Sequence, residues 1–215
     1  ITNHQNNELL HSESYTEMVR AIYNDVDKFI DSITSDEHIQ KRAASILGAF
    51  DWATDIFDKM DANATCNANN MAKIYPEVDE KLIKTAIYKA ALVLNMFEGI
   101  RFFCTFVPNW SFSEQPTKLM AGSSNIFKLI ARDEMVHLDV FQRVLKMLRT
   151  DKSEGFVEII EELEDETYDM FETAYKEEME WVEYLFSKGT PLIGMNEHIL
   201  KEYMDYIFAI RMTNI

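Results

Sequence analysis

Polar side chains interrupt the apolar stripes of three long helical stretches, and any fold of this chain must bury those polar groups together. On one stretch Ile87, Ala91, Leu94, Glu98, Phe102 and Phe106 follow a single helical face, with a carboxylate in its middle. On a second, Ile126, Ile130, Glu134, His137, Phe141, Val144 and Leu148 form a stripe broken by an acid and an imidazole. A third carries Glu8, His11, Tyr15, Met18, Ile22, Val26 and Phe29. An ionised carboxylate buried alone costs several kcal/mol, so such groups pair, keep a proton or hold a cation.

Spacing selects among these outcomes. Glu8 and His11, and again Glu134 and His137, stand three residues apart, which sets carboxylate and imidazole side by side on one helical face. Of five histidines, these two follow a glutamate by three residues. One such pair is readily an accident of an acidic helix. Two, with the lone Glu98 between them, match the arrangement by which helical bundles hold two metal ions through carboxylates and imidazoles. That donor set suits iron or manganese better than a closed tetrahedral zinc site.

Helical spacing runs from about Asn7 to Ile33, from Asp36 to about Met60, from Asp79 to Phe106, from about Lys118 to Leu148, from Ser153 to about Phe186, and from Asn196 to Met212. Six helices and an all-α fold in one domain, residues 1–215, are therefore expected; only six Gly and four Pro interrupt the chain. The predicted breaks are Ser35-Asp36, the Asn-rich DANATCNANN, Val107-Pro108-Asn109 and Gly189-Thr190-Pro191. Glu158, Glu161, Glu162, Glu164, Asp165 and Glu166 lack a histidine and read as a solvated helix face.

A net charge of −16 argues against nucleic acid or an anionic membrane as partner. Cys66 and Cys104 form no CxxC pair, so neither a disulfide framework nor a thiolate zinc site is indicated, and a reducing cytoplasm fits. The opening ITNHQNNELL does not read as a signal peptide, and the absence of an unbroken apolar run of about 18 residues argues against a membrane span. The chain opens without Met and reads as a fragment or a processed chain.

The string from Glu8 to Tyr15, ELLHSESY, resembles the E-x-x-H-S-x-S-Y segment of class I ribonucleotide reductase small subunits. FEGIRFFCTF, Phe97 to Phe106, is similar to the family's E-x-I-R-F segment, and LIARDEMVHL, Leu129 to Leu138, to its I-A-R-D-E-x-x-H-L segment. The closing DYIFAIRM resembles the family's last core helix. The resemblance implies a ferritin-like helical bundle in which Glu8, His11, Glu98, Glu134 and His137 hold two iron ions, iron rather than manganese, with Glu8 bridging them. It makes Tyr15 the residue oxidised to a stable radical with O2. It makes Phe102, Phe106 and Ile130 the residues that shield the radical, and Asp133 the acid that holds His11 on the electron route. The implied partners are a large subunit that reduces ribonucleotides to deoxyribonucleotides and a second copy of the small subunit.

The chain departs from the family at its ends. The family's sixth ligand, an aspartate about 30 residues before the first Glu-x-x-His, has no counterpart here, nor do the upstream tryptophan and the C-terminal docking tail. Activity is expected where another polypeptide supplies the aspartate. Two further readings stay open: a ferritin-like iron-storage protein, which needs the five ligands but not Tyr15 or Asp133, and a truncated chain that serves only as an interaction piece.

Overall fold

The computed structural model describes residues 2–69, 72–113, 118–189 and 194–213, and its described residues form an all-α bundle. Among the described residues nine α-helices run α1 Thr2–Ile22, α2 Val26–Thr34, α3 Glu37–Ala68, α4 Glu80–Met96, α5 Phe102–Ser111, α6 Ala121–Thr150, α7 Val157–Glu162, α8 Glu164–Phe186 and α9 Glu197–Met212. A π-helical turn, Phe97–Arg101, joins α4 to α5.

Several expected boundaries move, each for a local reason. The predicted Asn7–Ile33 helix is two helices, because the Asp25 carboxylate accepts from the Lys28 amide and starts α2 afresh. Its apolar stripe accordingly ends at the buried Met18, and Ile22 is exposed. α3 continues to Ala68, well past Met60, and takes in most of the Asn-rich stretch, whose Asn70 lies outside the described residues. Buried Asn63 explains this: it donates to the Tyr75 carbonyl at 2.7 Å and accepts from the Tyr75 amide at 3.0 Å, tying α3 to the next loop. Val107-Pro108-Asn109 is no turn, since Pro108 is buried inside α5. α6 starts at Ala121 because Lys118 and Met120 both adopt left-handed backbone. The predicted Ser153–Phe186 helix is divided at Gly155, also left-handed, and at the non-helical Leu163. Of the predicted break at Gly189-Thr190-Pro191, Gly189 is left-handed and the other two lie outside the described residues.

The main core surrounds α4 and the π-turn, where Tyr88, Leu92, Val93 and Met96 of α4 and Ile100 of the turn pack against Phe171, Ala174 and Val182 of α8 and Leu200 and Met204 of α9. Contrary to the sequence expectation, Glu80–Ser111 is apolar and long enough, at 32 residues, to pass for a membrane span. Its apolar window is 67% buried within the bundle, which marks a core helix. The acidic stretch on α7 and α8 is exposed as expected, and Glu162 and Glu166 pair with Lys81 and Lys89 of α4.

A buried ionic brace fixes the π-turn. Glu178 of α8, fully buried, accepts from Arg42 of α3 at 2.8 and 3.0 Å and from Arg101 at 3.1 Å, while Arg42 also donates to the Arg101 carbonyl. Removing one partner of such a set leaves buried charge uncompensated. Glu178→Ala is expected to lower the unfolding free energy by about 3 kcal/mol, read from urea denaturation.

Candidate metal centre

Three segments bring the candidate donors together. α1 carries Glu8 and His11 one turn apart, α6 carries Glu134 and His137 likewise, and the π-turn carries Glu98. In the π-turn the Phe102 amide bonds to the carbonyl of Phe97, five residues back, so one extra residue enters the turn and the helical face shifts. The expected stripe is therefore not a single face: Ile87 is exposed, whereas Glu98 and Phe106 are buried. Gly99 permits the close packing here, since a side-chain carbon at that position would stand 2.9 Å from Leu138 Cδ1 and 3.1 Å from Arg211 Nε. Arg211 Nε donates to the Gly99 carbonyl.

Glu134, 1% exposed, lies between the two imidazoles: Oε1 is 3.2 Å from His11 Nδ1 and Oε2 is 3.1 Å from His137 Nδ1. Glu8 Oε1 also reaches both, at 3.6 Å from His11 Nδ1 and 3.3 Å from His137 Nδ1. Glu98 Oε1 is 4.0 Å from His137 Nδ1. His11 Nε2 faces the Asp133 carboxylate at 3.4 Å. A carboxylate only accepts, so the proton sits on Nε2 and the lone pair of His11 Nδ1 faces the acids. Asp133 thereby fixes both the tautomer and the ring of His11.

Apart from the hydrogen bonds of His137 Nδ1 with Glu134 Oε2 and of His11 Nε2 with Asp133, these atoms are close without being mutually satisfied. Glu8 Oε1, His11 Nδ1, Glu98 Oε2 and Glu134 Oε1 are buried yet have no aligned hydrogen bond among the described residues, although several stand within ion-pair distance of one another. Proximity without alignment is the arrangement of donors that share a central cation rather than a proton. Two triads emerge, Glu8–His11–Glu134 and His4–Glu98–His137, each with donor atoms within 4.8 Å of one another. Each triad could hold a metal ion, and the Glu134 and Glu8 carboxylates stand within 3.6 Å of both His11 and His137.

Burial, then the charges of Glu134 and Glu8, pushes the Glu98 carboxyl from 4.5 up to about 9. Burial, then Glu8 and Asp133, pushes Glu134 up to about 8. Burial chiefly, with His4 beside it, holds the His137 imidazole below its ordinary range. Between the unfolded carboxyl value and these folded values, the metal-free native state keeps protons that the unfolded chain has released. Its stability therefore falls as pH rises from about 5 to about 9, and metal loading, which replaces those protons, flattens the dependence. Thermal unfolding midpoints of the metal-free and loaded protein across that range provide the check.

Tyr15, half-buried, packs with Phe102, Phe103, Phe106, Phe127, Ile130, Ala131 and Ile207 in a second apolar cluster. Its ring centroid is 5.7 Å from that of Phe127. Burial, followed by the Glu134 and Glu8 charges, raises its phenol pKa well above the ordinary value, so it stays protonated. Every candidate named from the sequence is thus gathered at one place. Sequence reasoning overlooked Phe103, Phe127 and, above all, His4, which lies one turn before Glu8 on the same face of α1. That spacing was the available signal.

The family model for the ribonucleotide reductase small chain matches residues 1–215. The chain is 36% identical over 211 residues, 97% of its length, to ribonucleoside-diphosphate reductase 1 subunit beta of Salmonella typhimurium. It is 36% identical over 213 residues to the protein of that name in Escherichia coli O157:H7. With ribonucleoside-diphosphate reductase subunit beta of Enterobacteria phage T4 it shares 32% over 219 residues, 95% of the chain. In each case the match covers 54% of the relative, so the chain spans about half the length of the curated relatives it matches.

Proposed function

The chain belongs to the ribonucleotide reductase small-chain family, and from that premise we propose that it forms the metal-and-tyrosine core of a radical-generating subunit. The observation that carries the reading is the meeting of Glu8, His11, Glu98, Glu134 and His137 beside an apolar cluster that holds a phenol. Glu8, His11, Glu98, Glu134 and His137 would hold the two metal ions, and the resemblance to the family's iron-using members favours iron over manganese. A metal pair held there would supply, with O2, the oxidising power that Tyr15 meets by giving up its phenolic electron and proton.

The chain's own residues do the rest. Tyr15 stays a neutral phenol until it is oxidised. Phe102, Phe106 and Ile130 exclude water and external reductants from its ring. Asp133 orients His11 and forms, with it, the start of the electron route toward the surface. The radical passes to a large subunit that reduces ribonucleotides to deoxyribonucleotides, and the nucleotide never touches this chain. A homodimer in the reducing cytoplasm completes the assembly. The two buried free thiols support that compartment.

The test is reconstitution of the complete assembly with Fe(II) and O2 under electron paramagnetic resonance. A tyrosyl signal accompanying uptake of two iron ions is expected; uptake of two ions with no organic radical would overturn the reading in favour of iron storage.

A further inference from the structure

His4 lies outside the five donors already assigned, yet it faces the same interior. It begins the α1 stripe that continues through Glu8, His11 and Tyr15. Its Nε2 is 3.8 Å from Glu98 Oε1, and its ring centroid lies 4.1 Å from that of His137, with Phe141 edge-on at 6.0 Å. Donor atoms at about 2.1 Å from a common ion stand roughly 3 to 4.3 Å apart, which this separation from Glu98 satisfies. Glu98 is 3% exposed and its other oxygen, Oε2, has no hydrogen bond among the described residues. A buried carboxylate in that condition calls for a cation, and His4 and His137 stand 3.8 and 4.0 Å from the same Glu98 Oε1, close enough for the three to share one.

We propose that His4 is a protein ligand of the second metal position, completing an imidazole-rich triad with Glu98 and His137. The proposal rests on the dimetal reading above and adds a chemical asymmetry to it. Beyond the shared Glu8 and Glu134, the second position has two imidazoles and the Glu98 carboxylate of its own, while the first has the single imidazole of His11. Imidazole favours Fe(II) and Co(II) over the harder Mg(II) and Mn(II), so the two positions differ in metal preference and the second fills first. His4 is partly exposed near the start of α1 and belongs to none of the apolar core clusters, so a substitution there removes little buried apolar surface.

Co(II), followed by its visible absorption and by equilibrium dialysis, is the probe. The unaltered protein is expected to bind two ions, and His4→Ala and His4→Asn to keep one while the other binds at least about tenfold more weakly, with circular dichroism unchanged. Anomalous diffraction from the Co(II)-loaded protein is expected to place one ion within bonding distance of His4 Nε2. Two ions bound with undiminished affinity in both variants, or a second ion out of reach of His4, would overturn the assignment and leave the dimetal centre standing. No Co(II) or Fe(II) bound by the unaltered protein would remove the dimetal reading itself, and the assignment with it.

Discussion

Tyr15→Phe is expected to abolish the organic radical signal completely while the protein still takes up two iron ions. Phenylalanine keeps the ring that packs among Phe106, Phe127 and Ile130 and loses only the hydroxyl, so the apolar cluster stays filled. Without the O–H bond there is no proton and electron to yield at an accessible potential. Electron paramagnetic resonance and iron analysis on the same samples make the comparison. A radical of equal intensity in the variant would assign the oxidised residue elsewhere. Tyr203, also packed on this cluster, is the nearest competitor, and its phenol is likewise pushed up, to about 12, by burial.

Glu134→Ala is expected to cost the protein both metal ions rather than one. Its two oxygens stand 3.2 and 3.1 Å from the two histidine nitrogens, so a single carboxylate serves both positions. Residues that merely orient a ligand change metal affinity about 10- to 100-fold, so loss of a shared ligand should exceed about 100-fold at each position. Glu98→Ala, touching only the second triad, is the control that should spare one ion. If Glu134→Ala retained one tightly bound ion, the sharing inferred from the geometry would be wrong. The metal-free variant should also be less sensitive to alkaline pH, because one of the two buried protonated carboxyls is gone.

The site was more legible than the helix boundaries around it, for a physical reason. Metal donors must be polar groups in an otherwise apolar stripe, and that contrast at Glu98, Glu134 and His137 is visible in the sequence. His4 escaped because one turn of spacing on a partly exposed helix start carries no contrast of its own. The π-turn escaped because the extra residue is set by packing of Gly99 against Leu138 and Arg211, a contact between distant segments. Pro108 misled because burial in the core outweighs the backbone hydrogen bond it forgoes. The split at Asp25 was a missed capping signal rather than a tertiary effect.

Half of the candidate metal donors, His4, Glu8 and His11, come from α1, a helix that packs mainly on α6 and exposes Leu9 and Leu10. Such a helix is lightly glued to its body, and a pair of cations gripping it from one side and α6 and the π-turn from the other would act as a rivet. Amide hydrogens along α1 would then exchange with solvent far more slowly once the ions are in place, while those of α4 and α8 hardly change. Loading would report itself mechanically, as the stiffening of one helix.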